Sequence, residues 1–242
     1  MPYTLYFSPD SANIVVRMTL EEMGLAYQDR EVPRKRVDRD DAFMRLNPRG
    51  LLPVLIDDDD DFALFETGAI LLYLADKHGQ LAPPVTEPRA RGAALKWLFM
   101  LSNTLHADLA MRFYPERYVI GEAEVDPLLL ATRKRVHGHL QMIDDVIGAH
   151  DGDWFLESGL SVCDFYLGCC VRWAQIYPVG DEAIDGSDVK AMTNLTTFLS
   201  KLQERPSVQR ALAREGITGN AFIDAKARLP ARERDKIDAA MP

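Results

Sequence analysis

The residues of this chain that are best placed to bind a ligand lie between Asn47 and Leu55, where a loop runs into an apolar strand through a proline. Proline is tolerated at the head of a strand because the first residue need not donate to the ladder. Leu52-Pro53 is a candidate for the minority of X-Pro bonds that are cis, and an ordinary trans proline in a turn is the alternative. With a cis bond, we expect the N–H and C=O of Leu52 to turn outward and pair with an extended, peptide-like ligand.

Predicted strands and a helix follow this stretch and have to position it. The strand that starts at Val54 breaks at five consecutive aspartates, residues 57–61, before a second short strand at 62–65. This pattern predicts a hairpin. A helix then opens at Glu66-Thr67 and keeps helical apolar spacing until Gly79 ends it.

The residues before this stretch predict a similar strand and helix. Residues 3–7 alternate as a strand, and a turn at 8–11 leads into a helix that ends at Gly24. A further strand is expected near residues 26–32. The predicted order is therefore β-α-β, a variable loop and helix, then β-β-α.

At these residues the chain resembles the thioredoxin-like N-terminal domain of the cytosolic glutathione transferases. The residues that carry the resemblance are Asn47-Pro48-x-Gly50-x-Leu52-Pro53-Val54-Leu55, and Glu66-Thr67 followed by Ala69-Ile70-Leu71-x-Tyr73-Leu74. The resemblance implies glutathione as co-substrate and a cis bond at Pro53. It also implies that the backbone of Leu52 pairs with the cysteinyl part of glutathione, while Glu66 and Thr67 hold the γ-glutamyl end.

The C-terminal half predicts helices and no strands, so the expected fold is an α/β thioredoxin-like N-terminal domain followed by an all-α helical bundle domain. The expected parts are a glutathione-binding domain at 1–79, a proline-rich linker at 80–88, a helical domain at 89–218 and a C-terminal tail at 219–242. A helix is possible at 231–240 within the tail. Ser161 and Asp164 form a capping box like the one that opens the core helix of this family's helical domain.

Two helical patterns are clear in this half, one from about residue 89 to 114 and one from Asp126 to about residue 148. The first pattern places on one face Leu95, Leu98, Phe99, Ser102, Leu105, Leu109 and Phe113.

Composition limits the function classes. A formal net charge of −9 argues against nucleic acid as the main partner, because phosphate contacts need clustered Lys and Arg. The sequence has neither an apolar run long enough to span a bilayer nor a secretory signal pattern, so we expect a cytoplasmic protein without a membrane partner. Cys163, Cys169 and Cys170 are expected to be buried thiols, and the histidines predict no metal site.

The chemistry implied by the resemblance is stabilisation of the glutathione thiolate. The thiol titrates near ~8.5 in water, and a hydroxyl donor at a helix N-terminus favours the anion. Ser11 lies at such a position, in a P-x-S spacing that resembles serine-type members; the alternative, that Ser11 caps the helix, is compatible with this role. Tyr6 is the rival donor, as in tyrosine-type members, and Asn13 or backbone amides complete the candidates. Ala12 stands where beta-type bacterial members carry a cysteine.

The second substrate, a small hydrophobic electrophile, is expected against the long helix after the linker. Ser102-Asn103-x-Leu105-His106 resembles the beta-type helix in which a histidine approaches the active site, although His106 satisfied inside the bundle is the alternative. Phe113, Tyr114 and Tyr177 are candidate pocket walls, or else plain core.

Two classes of function remain open. The first is an enzyme of detoxification that conjugates glutathione to electrophiles or uses it to reduce peroxides or disulfides. The second is a non-catalytic, stress-regulatory binding protein on the same fold. Glu66-Thr67 and Leu52-Pro53 favour the enzyme, because an interaction module has no need of a γ-glutamyl site. The resemblance also implies a homodimer.

Overall fold

The computed structural model describes residues 2–34, 38–178 and 183–227. The chain folds into two compact units. The first contains Met1–Gln80 and Pro206–Thr218, and the second contains Leu81–Arg205 and Gly219–Lys226. The predicted fold class, a thioredoxin-like α/β domain followed by a helical domain, is confirmed.

The first unit is built on a four-stranded mixed sheet. Its elements are β1 (Tyr3–Phe7), α1 (Asn13–Met23), β2 (Tyr27–Glu31), α2 (Asp41–Leu46), β3 (Val54–Asp57), β4 (Phe62–Phe65), α3 (Thr67–His78) and α10 (Pro206–Arg214). The strand order is β2-β1-β3-β4. β1 is parallel to β2 and antiparallel to β3, and β3 is antiparallel to β4. The predicted β-α-β and β-β-α halves both form.

The predicted apolar faces of α1 and α3 pack on this sheet. Val16 and Leu20 of α1 and Ile70 and Leu74 of α3 share a buried cluster with Leu5 of β1. Both helices end as their sequences predict, since Gly24 and Gly79 have φ values of 66° and 62°, a left-handed conformation that costs glycine little.

The second unit is helical, and none of its described residues forms a strand. Its described helices are α4 (Pro88–Met100), α5 (His106–Phe113), α6 (Val125–Gly148), α7 (Val162–Ile176), α8 (Gly186–Ala191) and α9 (Thr193–Glu204). A π-helical turn, Leu101–Leu105, joins α4 to α5, and 3-10 turns lie at Pro115–Arg117 and Glu122–Glu124.

The π-helical turn lies within the first helical pattern, and two residues of that pattern are not buried as expected. Leu98 and Leu109 are buried as predicted, but Phe99 is 54% exposed and Leu101 is buried where the pattern favoured Ser102. The pattern was therefore wrong for Phe99 and Ser102, whereas Leu105 and Leu109, at the end of the turn and after it, are buried as predicted.

The predicted capping box opens α7. The Ser161 hydroxyl accepts from the Cys163 N–H at 3.2 Å, and the Asp164 carboxylate accepts from the Ser161 N–H at 2.7 Å and the Phe155 N–H at 2.8 Å. Burial raises the pKa of Asp164 to about 6, against the lowering effect of these bonds. The three cysteines lie in α7 as buried free thiols, as predicted.

The described C-terminal residues are divided between the two compact units. α10 belongs to the first unit, because its buried residues Val208, Ala211 and Leu212 cover α1. Residues 219–226 belong to the second unit, where Arg172 donates to the Ala221 carbonyl at 3.1 Å. The possible helix at 231–240 lies outside the described residues.

Within the described ranges, no helix is both long enough and apolar enough to cross a bilayer. The same residues contain no group of three or more His, Cys, Asp or Glu side chains that could hold a metal ion.

An ion pair between Asp57 and Lys77 lies at the hairpin end of the sheet. The Asp57 carboxylate at the end of β3 accepts from Lys77 Nζ at 2.6 Å and from the Tyr73 hydroxyl at 2.8 Å. Burial works to raise the pKa of Asp57, but these two hydrogen bonds outweigh it and hold the pKa below its ordinary value of 3.8. The Asp57 charge therefore stabilises the fold at neutral pH.

We predict that the wild type is more stable than Asp57→Asn near neutral pH and that this difference shrinks in acid. Because the folded-state pKa is lowered, the contribution of Asp57 is complete above 3.8 and is lost as the pH falls through the lower folded value. Urea unfolding at several pH values would measure this difference in the free energy of unfolding. Asp59→Asn, an exposed neighbour in the same turn, is the matched control, and a pH-independent difference for Asp57→Asn would contradict the prediction.

Candidate functional site

The register of the sheet gathers three segments at one end. Tyr6 pairs with Val54, and Val54 pairs with Phe65, so these residues form one row across β1, β3 and β4. Neighbouring strands lie about 4.8 Å apart. The loop after β1, the residues before β3 and the residues after β4 therefore meet at this end, opposite the aspartate-rich hairpin.

The segment before β3 is fixed by Asn47. Its buried side chain accepts from the Arg49 N–H at 3.1 Å and donates to the Leu51 carbonyl at 2.9 Å, and the Gly50 N–H bonds to the Asn47 carbonyl at 2.8 Å. Gly50 has a φ of 62°, which explains the glycine of the motif.

The Leu52-Pro53 peptide bond is cis, as predicted. Leu52 is partly exposed, and its N–H and C=O form no hydrogen bond with any of the residues that the structure describes. These two groups can pair with a ligand backbone.

The segment after β4 presents an open helix start. Glu66 has a φ of 72° and precedes the first residue of α3, Thr67, without capping the helix through its side chain. The Glu66 carboxylate is exposed and forms an ion pair with Arg49. Because the first turn of a helix carries unsatisfied N–H groups and partial positive charge, an anionic group of a ligand is stabilised here.

The loop after β1 contains Ser11, which is not the N-cap residue of α1, unlike the alternative in which it caps the helix. α1 begins at Asn13, and its N-cap residue, Ala12, makes no side-chain bond. Ser11 is partly exposed. Its hydroxyl donates to Asn13 Oδ1, and its carbonyl accepts from the Ile14 N–H at 3.0 Å. Asn13 is fully buried, so its amide supports the loop and is shielded from solvent.

Comparison with known proteins identifies the family of this chain. The family model of the glutathione S-transferase N-terminal domain matches residues 14–77. YfcG of Escherichia coli K12, named a disulfide-bond oxidoreductase, is 36% identical over 226 residues, which cover 86% of this chain and 93% of the relative. Glutathione S-transferase GstA of Escherichia coli O157:H7 is 27% identical over 217 residues, covering 88% and 98%. A solved glutathione transferase homolog from Sulfitobacter, with bound glutathione, is similar with a TM-score of 0.74 and 26% identity, covering 90% of this chain and 100% of that one. The chain belongs to the glutathione S-transferase family.

Tyr6, the rival donor of this transferase, lies in a core cluster. Its side chain is 8% exposed and packs with Val32, Phe43 and Val54, with the Phe43 ring centroid at 5.7 Å. The Arg30 guanidinium lies 5.6 Å from the Tyr6 ring. Tyr6 thus shares the site end of the sheet with Ser11 but is more deeply buried.

His106 of the transferase is held inside its helical unit. Its Nδ1 lies 2.7 Å from the Tyr166 hydroxyl, and its ring stacks on Trp173 with centroids 4.8 Å apart. Burial lowers the pKa of His106 to about 4, so the ring is neutral at physiological pH. These contacts agree with the expected alternative of a histidine satisfied within the bundle.

The candidate wall residues of the transferase form an aromatic group. Phe113 makes edge-to-face contacts with Tyr114 and Tyr177, at centroid distances of 4.1 and 4.2 Å. The Arg117 guanidinium covers the Tyr114 ring at 3.8 Å. All three aromatic side chains belong to the helical unit.

Sequence reasoning missed Glu215, whose carboxylate is buried beside the Ser11 loop. It accepts from the Asp10 N–H, from Asn13 Nδ2 and from Arg17 Nε at 2.9, 2.7 and 2.6 Å. Burial raises the pKa of Glu215, while Arg17 acts to lower it. One signal could have pointed to such an acid: Arg17 lies on the apolar face of α1, and an arginine buried there needs an anionic partner.

Proposed function

We propose that the protein is a glutathione transferase whose glutathione site is the end of the sheet shared by Ser11, Leu52 and Glu66. The observation that supports this best is the pairing of Tyr6, Val54 and Phe65 in one row of the sheet. This row brings to one end an unpaired peptide group, an open helix start and a partly exposed serine. The cysteinyl part would pair with the backbone of Leu52. The γ-glutamyl carboxylate would bind at the first turn of α3, beside Glu66 and Thr67, where the helix dipole favours a negative charge.

Ser11 is our proposed donor to the glutathione sulfur, which makes this a serine-type member. Asn13 is buried and its amide is already hydrogen-bonded, and Tyr6 is buried in the core cluster, whereas Ser11 reaches solvent. The Ser11 hydroxyl donates to Asn13 Oδ1 and can rotate to donate to a bound thiolate. A hydrogen bond to the charged form favours ionisation of the thiol.

Two reactions follow from a bound thiolate. The first is conjugation to small hydrophobic electrophiles, for which Phe113 and Tyr114 are the proposed walls. The second is glutathione-dependent reduction of disulfides, which the name of the relative YfcG favours. Ala12 supplies no thiol, so the reduction would run through two glutathione molecules. Rates with a chlorinated nitrobenzene and with 2-hydroxyethyl disulfide would distinguish these reactions from a non-catalytic binding role.

The proposal includes a homodimer in the cytoplasm. The edge strand β4 carries Phe62 and Phe65, which are 47% and 36% exposed, and α4 carries the exposed Phe99. Large exposed apolar side chains favour association. The three cysteines are free thiols, which is typical of reducing compartments, where reduced glutathione is maintained.

We predict that light scattering gives twice the chain mass of 27.2 kDa at micromolar concentration. Closed twofold association is the commonest oligomer among soluble proteins, and it would cover the exposed aromatic residues. A mass of one chain would refute the dimer.

We predict that Glu66→Ala and Thr67→Ala each weaken glutathione binding about tenfold. Each substitution leaves a polar group of the ligand unpaired, which costs about 1–3 kcal/mol. Calorimetry would measure the affinities, with Asp59→Ala at the opposite end of the sheet as the control. Affinities like the wild type in both site variants would exclude this γ-glutamyl site.

We predict that Ser11→Ala raises the pKa of bound glutathione by about one unit and slows turnover at neutral pH about tenfold. Tyr6→Phe should change both little, because its ring lies in the core cluster. Ultraviolet titration of the bound thiolate measures the pKa independently of protein stability. The opposite pattern, a raised thiol pKa in Tyr6→Phe alone, would assign the reaction to the tyrosine.

A further inference from the structure

Glu215 is a fully buried acid directly after α10, and its position is fixed by its own backbone. Its N–H bonds to the Ala211 and Leu212 carbonyls, both at 3.1 Å, and the following Ile217 N–H bonds to the Leu212 carbonyl at 3.0 Å. The side chain is 0% exposed. The three hydrogen bonds it accepts all come from α1 or from the loop before it.

Arg17 neutralises this carboxylate within the first unit. Its side chain is also 0% exposed, and it bonds to Asp29 at 2.6 Å in addition to Glu215. The guanidinium lies 4.7 Å from the centre of the Phe7 ring. Because the charge of Glu215 is paired, the acid can stand beside a site for an anion without a large repulsive effect on it.

Asn13 connects Glu215 to the loop by hydrogen bonds. Its Nδ2 donates to Glu215, and its Oδ1 accepts from the Ser8 N–H at 3.2 Å and from the Ser11 hydroxyl. The reversed amide would place an oxygen against the carboxylate and an NH2 group against the Ser8 N–H. Glu215 therefore permits one amide orientation. That orientation holds the backbone at Ser8, and it holds the Ser11 hydroxyl until this group turns to a bound thiolate.

Glu215 also contacts the same loop directly, at Asp10. Asp10 has a φ of 57°, an uncommon conformation for a residue other than glycine. Its N–H donates to Glu215 at 2.9 Å, which stabilises this conformation one residue before Ser11.

We propose that Glu215 is a positioning residue for thiol activation, acting from the segment after α10 through Asn13 and Asp10 on the backbone of residues 8–11, which carries the hydroxyl of Ser11. The inference rests on the proposed role of Ser11 with glutathione. It predicts that the placement of the Ser11 hydroxyl, and with it the pKa of the bound thiol, depends on a residue more than two hundred positions away in the sequence.

The test is Glu215→Gln, with the pKa of bound glutathione measured by ultraviolet titration. Glutamine keeps the size of the side chain but replaces one carboxylate oxygen by an NH2 group. This group then faces an N–H donor and cannot accept its hydrogen bond. We expect the thiol pKa to rise by about one unit, so that turnover falls about tenfold at neutral pH and much less at alkaline pH. The affinity for glutathione should change less than about threefold, because Leu52, Glu66 and Thr67 are untouched.

The direction in which the thiol pKa changes in Glu215→Gln distinguishes a positioning role of Glu215 from a direct effect of its charge. Removal of the Glu215 charge leaves Arg17 less neutralised, and a cation acting alone would lower the thiol pKa. A raised pKa supports positioning, and a lowered or unchanged pKa overturns it. The matched control is Glu22→Gln, because Glu22 bonds to Ser207 of α10 and contacts the same pair of helices away from the loop. An equal rise of the thiol pKa in Glu22→Gln would also overturn the proposal.

Two further variants keep the test decisive. If Glu215→Gln does not fold, Glu215→Asp retains the charge beside Arg17 but is one methylene shorter, and it should raise the thiol pKa as well. In an Asn13→Ala background, Glu215→Asp should add little further change, since the main link is already cut. A wild type that binds no glutathione would overturn the proposed function, whereas a normal Ser11→Ala effect without any Glu215 effect would overturn this inference alone.

Discussion

The burial of the Arg17 guanidinium is the constraint on which the first unit depends. An arginine on the apolar face of a helix costs several kcal/mol unless its charge is paired and hydrogen-bonded. Here β2 supplies Asp29 and the segment after α10 supplies Glu215, at 2.6 Å each. The pairing therefore fixes α10 against α1, and the same carboxylate organises the loop that contains Ser11.

The glutathione site that we propose at one end of the sheet consists mainly of backbone groups. Two antiparallel pairings bring the ends of β1, β3 and β4 into one row. At that row, Asn47 holds its own loop so that the peptide groups of Leu52 remain unpaired, and α3 starts without a side-chain cap. Such a site suits glutathione, which is itself a peptide with a charged amino-terminal end. Specificity for the second substrate has to come from other residues.

The helical unit is organised around α7, a helix buried on almost every side. Its capping box also binds the Phe155 N–H, so the start of the helix is tied to the preceding loop. His106 contacts this helix through Tyr166 and Trp173 and is neutral because of burial. A neutral, stacked histidine is suited to packing and hydrogen bonding more than to carrying charge.

The sequence by itself determined the features that depend on neighbouring residues. The Asn47 to Leu55 motif, the strands and helices of the first unit, the glycine helix ends and the Ser161 capping box are all local patterns, in which a residue's neighbours fix its backbone conformation. Family membership followed from the same motifs. The tertiary structure decided the rest: the π-helical turn before His106, the assignment of α10 to the first unit, and the buried contacts of Asn13 and Tyr6. It alone placed Glu215 beside Asn13, since that contact joins residues 202 positions apart and arises only from packing α10 on α1.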